Sequence, residues 1–160
     1  MNKEYTIRDL YEIYCEAMPR YPLAYERFRD ILHKDNSQIF TAEDSKTIIG
    51  FIVVNSNFVV ILCVKKEYRH SGYGKHLLIM AEGFISANYD EVILGGGGLL
   101  QGVPCDNDEE SSVPFFEKRG YSADFTSVNM GLELNEKAVE KLKEIPRPNG
   151  VTYRFADDND

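Results

Sequence analysis

The sequence contains no tryptophan, only three cysteines and only six prolines among its 160 residues. An odd set of widely spaced cysteines (Cys15, Cys63, Cys105) supplies neither a disulfide framework nor the paired spacing of a zinc site. Cys63 sits inside an apolar run and reads as a small core residue. Positive charge is also short: 18 Lys and Arg face 26 Asp and Glu, a net charge of −8, which argues against a nucleic-acid partner held by bulk charge. No apolar stretch approaches the length of a membrane span, and the polar start MNKEYTIRD is unlike a signal peptide, so a cytoplasmic location is expected. No internal repeat is visible, and no low-complexity tract beyond one run of glycines. What remains is 43% hydrophobic content in a chain of single-domain length, enough for a real core.

The scarce positive charge is not spread evenly. Lys65, Lys66, Arg69 and Lys75 lie together with His70 and His76, against the single acid Glu67. This island falls at a joint. Phe58 to Val64 (FVVILCV) has the length and composition of a buried strand, and beyond the turn apolar residues recur at helical spacing at Leu77, Met80, Ala81, Phe84 and Ile85. Between them stands Arg69-His70-Ser71-Gly72-Tyr73-Gly74. Strand, glycine turn and helix together aim unpaired N–H groups and the positive end of the helix dipole at one point, which suits a phosphate. Gly72 and Gly74 permit tight geometry and close approach of a ligand.

Two common glycine motifs fail at this joint. A phosphate-loop NTPase needs glycine where Arg69 stands and Ser or Thr where His76 stands. A dinucleotide fingerprint needs a third glycine at Leu77 and a strand at the start of the chain.

Around the joint the periodicity predicts a helix from Thr6 to about Met18, capped by Thr6 or Asp9, and a second helix from about Pro22 to Lys34. Strands are predicted at 38–42 and 47–55, with a hairpin at Asn55-Ser56-Asn57 leading into 58–64. A further strand at 91–94 would lie parallel to 58–64 through a right-handed crossover. Residues 95–112, opening with four glycines, read as a loop over a cleft. A short helix is expected at 113–119 with Pro114 in its first turn and Gly120 as its stop, then a strand at 125–134 and a helix from Asn135 to about Ile145. The expected organisation is an α/β domain with a mixed sheet over 1–134, then a C-terminal helix, linker and strand-like tail over 135–160.

Val64, then Arg69-x-x-Gly72-x-Gly74, then an amphipathic helix resembles the acyl-CoA-binding motif of the GNAT family of N-acetyltransferases. Phe115-Phe116-Glu117-Lys118-Arg119-Gly120-Tyr121 is similar to the family's later aromatic-Tyr-x-x-x-Gly-aromatic segment. The resemblance covers roughly Ile7 to Leu134. It implies a central sheet splayed between the strands at 58–64 and 91–94, with the pantetheine arm in the gap. Backbone groups of Leu62 and Val64 would pair with that arm, and Arg69, His70, Gly72, Tyr73, Gly74 and Lys75 would hold the pyrophosphate. It implies acetyl-CoA as co-substrate, no metal, and a small-molecule or peptide amine as acceptor; a homodimer is compatible.

The same resemblance locates the chemistry and its weak point. Direct transfer needs a base for the amine and an acid for the departing thiolate. Base candidates are Glu91 and Glu109, with Asp106, Asp108 and Glu110 beside the latter. In family members the acid is usually a tyrosine four residues before the glycine, and here that position is Phe116. Either Tyr121, another tyrosine or water replaces it, or the chain is a non-catalytic acyl-CoA-binding or regulatory module. Val151 to Ala156 resembles the strand that opens family members, placed last. With Gly102-Val103-Pro104, it makes the chain similar to the first half of a tandem-domain member.

Overall fold

The computed structural model describes residues 5–96, 103, 112–123, 135–144, 146 and 149–150. The chain divides into two compact units, Met1–Gly120 and Tyr121–Asp160. The predicted strands at 125–134 and 151–156 lie outside the described residues, as does nearly all of the 97–111 loop.

In the first unit, helix α1 (Ile7–Ala17) begins with a reciprocal cap. Thr6 Oγ1 accepts from Asp9 N–H at 3.2 Å, and Asp9 Oδ2 accepts from Thr6 N–H at 2.8 Å. Helix α2 (Tyr25–Leu32) starts three residues later than the sequence suggests. The reason lies in two tyrosines of α1: Tyr11 Oη–H donates to Leu23 O and Tyr14 Oη–H to Tyr21 O, both at 2.6 Å. These bonds draw the α1–α2 connection onto α1, and Ala24 stays extended.

Among the described residues, four strands form one sheet in sequential order: β1 (Ser37–Asp44), β2 (Thr47–Asn55), β3 (Phe58–Val64) and β4 (Ile93–Leu94). The first three are antiparallel, and β4 runs parallel to β3. The mixed sheet with flanking helices is the expected fold class. Helix α3 (Tyr73–Ile85) makes the crossover from β3 to β4 and packs on β1, β2 and β3. Leu10, Ile13 and Tyr14 of α1 and Phe28, Ile31 and Leu32 of α2 form one core with Phe51, Val53, Val60, Ile61 and Cys63. By alternation, Ile52 and Val54 face the other way, toward buried Leu77, Leu78, Ala81 and Ile85 of α3. Both faces of the sheet are therefore covered, which is why β2 and β3 read as unbroken apolar runs. The one buried polar side chain of that core region, Asn55, donates from Nδ2 to Asp35 O (2.9 Å) and Ser37 Oγ (3.2 Å).

Helix α4 (Val113–Glu117) carries Pro114 in its first turn, and Gly120 at φ +89° follows its end. The second unit contains helix α5 (Glu136–Lys143), with Glu136 in its first turn and Lys141 and Lys143 in its last, each complementing the helix dipole. No helix among the described residues is long and apolar enough to cross a membrane.

Candidate active site at the end of the third strand

The geometry of the site begins with an irregularity in β3. Val53 pairs with Ile61 and Val54 with Val59, so Val60 is an extra residue, a β-bulge. Lys65 N–H donates to Ile49 O at 2.8 Å, one step past the Gly50–Val64 pair. That places Gly50–Val64 and Ile52–Leu62 as the non-hydrogen-bonded pairs of the ladder, so the N–H and C=O of Leu62 and Val64 point away from β2. They point to the edge where β4 binds. There, Ile93 N–H donates to Asn57 O and Gly95 N–H to Val59 O, both at 2.9 Å. The register between β3 and β4 covers only Phe58–Ile93 and Val59–Leu94. Beyond Val59 the outer edge of β3 takes no strand partner among the described residues.

A short 3-10 turn (Lys66–Tyr68) leads from β3 to the glycine loop. Arg69 braces this passage: its Nε donates to Val64 O at 3.2 Å and its Nη2 to Ala17 O at 3.3 Å, tying the end of β3 to the end of α1. Glu16 Oε1 accepts from Lys66 N–H at 3.1 Å and reinforces the same corner. The Arg69 N–H itself donates to Lys66 O. The donors left for a ligand therefore begin at His70, one residue later than the expected cradle.

From His70 to Lys75 no backbone N–H meets an acceptor among the described residues, and the first bond of α3 runs from His76 N–H to Gly72 O at 3.0 Å. His70 (φ +62°) and Gly72 (φ +92°) both occupy the left-handed region. A Cβ on Gly72 would meet nothing within 4 Å. On Gly74 it would touch the Phe115 ring at 3.6 Å and Val64 Cγ2 at 3.8 Å. The result is a concave run of bare donors at the positive end of a helix, the chemical complement of a phosphate.

The candidate binding residues Leu62, Val64, Arg69, His70, Gly72, Tyr73, Gly74 and Lys75 are thus brought to one corner. Of the candidate catalytic residues, Glu91 is not. Glu91 is exposed and precedes β4, at the end of the sheet where β3 begins, whereas the glycine loop follows the end of β3. Glu109 lies outside the described residues, and Tyr121 opens the second unit. Phe116, at the position of the family's tyrosine, is 8% exposed and packs edge-on against Phe115 with ring centroids 4.9 Å apart. Cys63, directly behind the site, is no nucleophile: burial pushes its thiol up to about 12. A separate cleft of about 300 Å³ lies along α1, lined by Asp9, Glu12, Glu16, Lys46 and Lys65. Among those carboxylates, Asp9 is committed to the helix cap and Glu16 to Lys66 N–H.

A family model described as the acetyltransferase (GNAT) family matches residues 7–121. The chain belongs to the GNAT acetyltransferase family. Solved GNAT-like structures agree in fold. A glucosamine N-acetyltransferase region of a fungal multi-domain β-N-acetylglucosaminidase is 24% identical, with a TM-score of 0.67 over 75% of this chain. The match covers 16% of that fungal protein. A putative acetyl transferase from Pyrococcus furiosus is 20% identical, with a TM-score of 0.52 over 71% of this chain and 83% of its own. An aminoglycoside acetyltransferase from an uncultured soil metagenomic sample, solved in complex with sisomicin, is 16% identical, with a TM-score of 0.56 over 80% of this chain and 88% of its own. No curated protein matches the chain by sequence.

Two GNAT-site contacts were not anticipated from the sequence: the seat of Phe115 against Gly74, and the guanidinium of Arg119 lying 3.7 Å over the Phe115 ring. The i, i+4 spacing of Phe115 and Arg119 on a short helix was the available signal.

Proposed function

We propose that the chain transfers an acetyl group from acetyl-CoA to an amine of a small molecule or peptide by direct attack. The observation that carries this reading is the bare run of N–H groups from His70 to Lys75, next to a stretch of β3 edge without a strand partner. Those N–H groups would hold the diphosphate without help from a metal. The N–H and C=O of Leu62 and Val64 would pair with the amides of the pantetheine arm as a neighbouring strand does, fixing where the thioester lies. Val64 O already accepts from Arg69 Nε, so its N–H is the donor left for the arm. Arg69 holds the loop in place from behind. The bound thioester supplies an activated acyl group, and a thiolate is a tolerable leaving group near neutral pH. Phe116 has no proton to give, so in this reading water takes the proton that the amine loses as its bond to the acyl carbon forms, and water returns one to the departing sulfur. The aminoglycoside and glucosamine acetyltransferases with this fold support a small-molecule amine as acceptor.

Buried Phe116 favours one alternative, an acyl-CoA-binding module that does not turn over. Calorimetry with acetyl-CoA, followed by thiol release with polyamines, amino sugars, aminoglycosides and peptide N-termini, tests both. Micromolar binding with amine-dependent thiol release is expected. Binding without release from any acceptor would leave the module, and no binding would remove both. Phe116→Tyr should raise thiol release by up to about tenfold, because a hydroxyl at this position restores the missing acid.

A further inference from the structure

The passage from β3 into the glycine loop and the last turn of α1 hold each other. Lys66 opens the short 3-10 turn, so its N–H has no acceptor within that turn. Glu16 Oε1 supplies one from α1 at 3.1 Å, across 50 residues of sequence. In return, Arg69 Nη2 donates at 3.3 Å to Ala17 O, a carbonyl of the last turn of α1. Lys66 is thereby pinned on both sides, its N–H by Glu16 and its C=O by the Arg69 N–H at 3.2 Å. The bare donors begin directly after this turn, at His70. Charge does not account for a carboxylate at this corner. Glu16 accepts at the turn that leads into an anion cradle, where its negative charge works against an anionic ligand. Its side chain is exposed, and water can meet the same N–H. What the carboxylate adds is a fixed anchor. Leu10, Ile13 and Tyr14 seat α1 in the core, and the bond from Glu16 carries that rigidity to the turn.

We propose that Glu16 is a positioning residue for acyl-CoA. Through the Lys66 N–H it fixes the direction in which the chain enters the glycine loop, and so the aim of the N–H groups from His70 to Lys75. This rests on the reading of that loop as the diphosphate site. Glu16 itself touches no part of the ligand. Donors that already converge on one point lose little freedom when a diphosphate arrives, whereas a turn released at Lys66 must be ordered during binding. The neighbouring anchors do not duplicate this one. Lys65 N–H to Ile49 O holds the end of β3, Arg69 holds the far end of the turn through Val64 O and Ala17 O, and Glu16 holds the residue between them.

The test compares wild type, Glu16→Ala and Glu16→Gln by calorimetry with acetyl-CoA at low and high salt, with thermal melting of each protein. Position and charge predict opposite signs. Removing a negative charge near an anion site by itself tightens binding in both variants, and most at low salt. Loss of the anchor instead weakens binding in Glu16→Ala alone, because Glu16→Gln keeps an acceptor oxygen for the Lys66 N–H. At high salt Glu16→Ala should bind acetyl-CoA about three- to tenfold more weakly than wild type, with Glu16→Gln within about twofold and the melting temperatures nearly equal. Affinity in Glu16→Ala equal to or above that of wild type overturns the proposal. So does a loss that Glu16→Gln shares in full, or one that comes only with a lowered melting temperature. Failure of wild type to bind acetyl-CoA would instead remove the diphosphate reading beneath it.

Discussion

The outer edge of β3 has two halves that differ in kind. At its start, Phe58 and Val59 are paired with Ile93 and Leu94, and the carbonyls of Asn57 and Val59 are each taken by an N–H from the β4 segment. At its end, Leu62 and Val64 turn the same backbone groups outward with no described strand to receive them, and the loop that follows adds six more bare N–H groups. Both halves are made of the same kind of apolar residue. The difference comes from what the backbone faces, not from side-chain chemistry. The fold completes its hydrogen bonding where the sheet must hold together and withholds it where a ligand can complete it instead.

The largest effect should come from damaging what both halves share. A Cβ at Gly50 would stand 2.8 Å from Cys63 O and 3.1 Å from Val64 Cγ2, so Gly50→Val forces β2 away from β3. We expect a loss of about 3 kcal/mol in urea unfolding, with acetyl-CoA binding lost alongside. Gly72→Asn separates the halves. Asparagine tolerates the left-handed region better than other side chains, so the φ of +92° costs little, while its amide fills the space in front of the bare donors. Acetyl-CoA affinity should fall about 100-fold, near 3 kcal/mol, with the melting temperature almost unchanged. At the partnered half, Gly96→Ala should do the reverse. A Cβ there meets the Phe58 ring at 3.1 Å at a φ of +77°, so stability should drop by about 1–2 kcal/mol, and the melting temperature should register the change first.

The smallest effect uses pH and reports on the packed face behind the strand. Tyr14 and Cys63 are each raised to about 12, mainly by burial. Their ordinary values are 10.0 and 9.0, so both are raised on folding. Their contribution to stability is complete below pH 9 and drains away as pH climbs toward 12. Urea midpoints should be flat through neutral pH and decline across that alkaline window. Tyr14→Phe should flatten the upper part of the decline while giving up the bond to Tyr21 O.

Much of the fold was legible because both faces of the sheet are covered. The runs at 48–54 and 58–64 are apolar without interruption, and the strands predicted on them, 47–55 and 58–64, match the observed β2 and β3. The turn at the glycine loop was legible for another reason: the left-handed geometry at Gly72 favours glycine, so the backbone shape there is written in a residue type. Where geometry depended on a distant partner, the sequence was silent. The late start of α2 follows from two tyrosine hydroxyls of α1, a choice that no local propensity for residues 22–24 contains. The bracing role of Arg69 depends on the carbonyl of Ala17, far away along the chain. Candidate acids and bases were the least legible, since a carboxylate advertises its charge but not the end of the sheet on which it lies. Glu91 illustrates this, standing at the end of the sheet where β3 begins.

One inserted amino acid marks where the strand passes from holding β4 to leading toward the glycine loop. Were Val60 deleted, Val59 and Ile61 would become neighbours opposite Val54 and Val53, strict alternation would return, and the amides of Leu62 and Val64 would go on facing outward. Every pair of the ladder would survive, and what the strand would lose is the local bend and added twist of the bulge. The mutant would report how far recognition here depends on the aim of the strand rather than on its register.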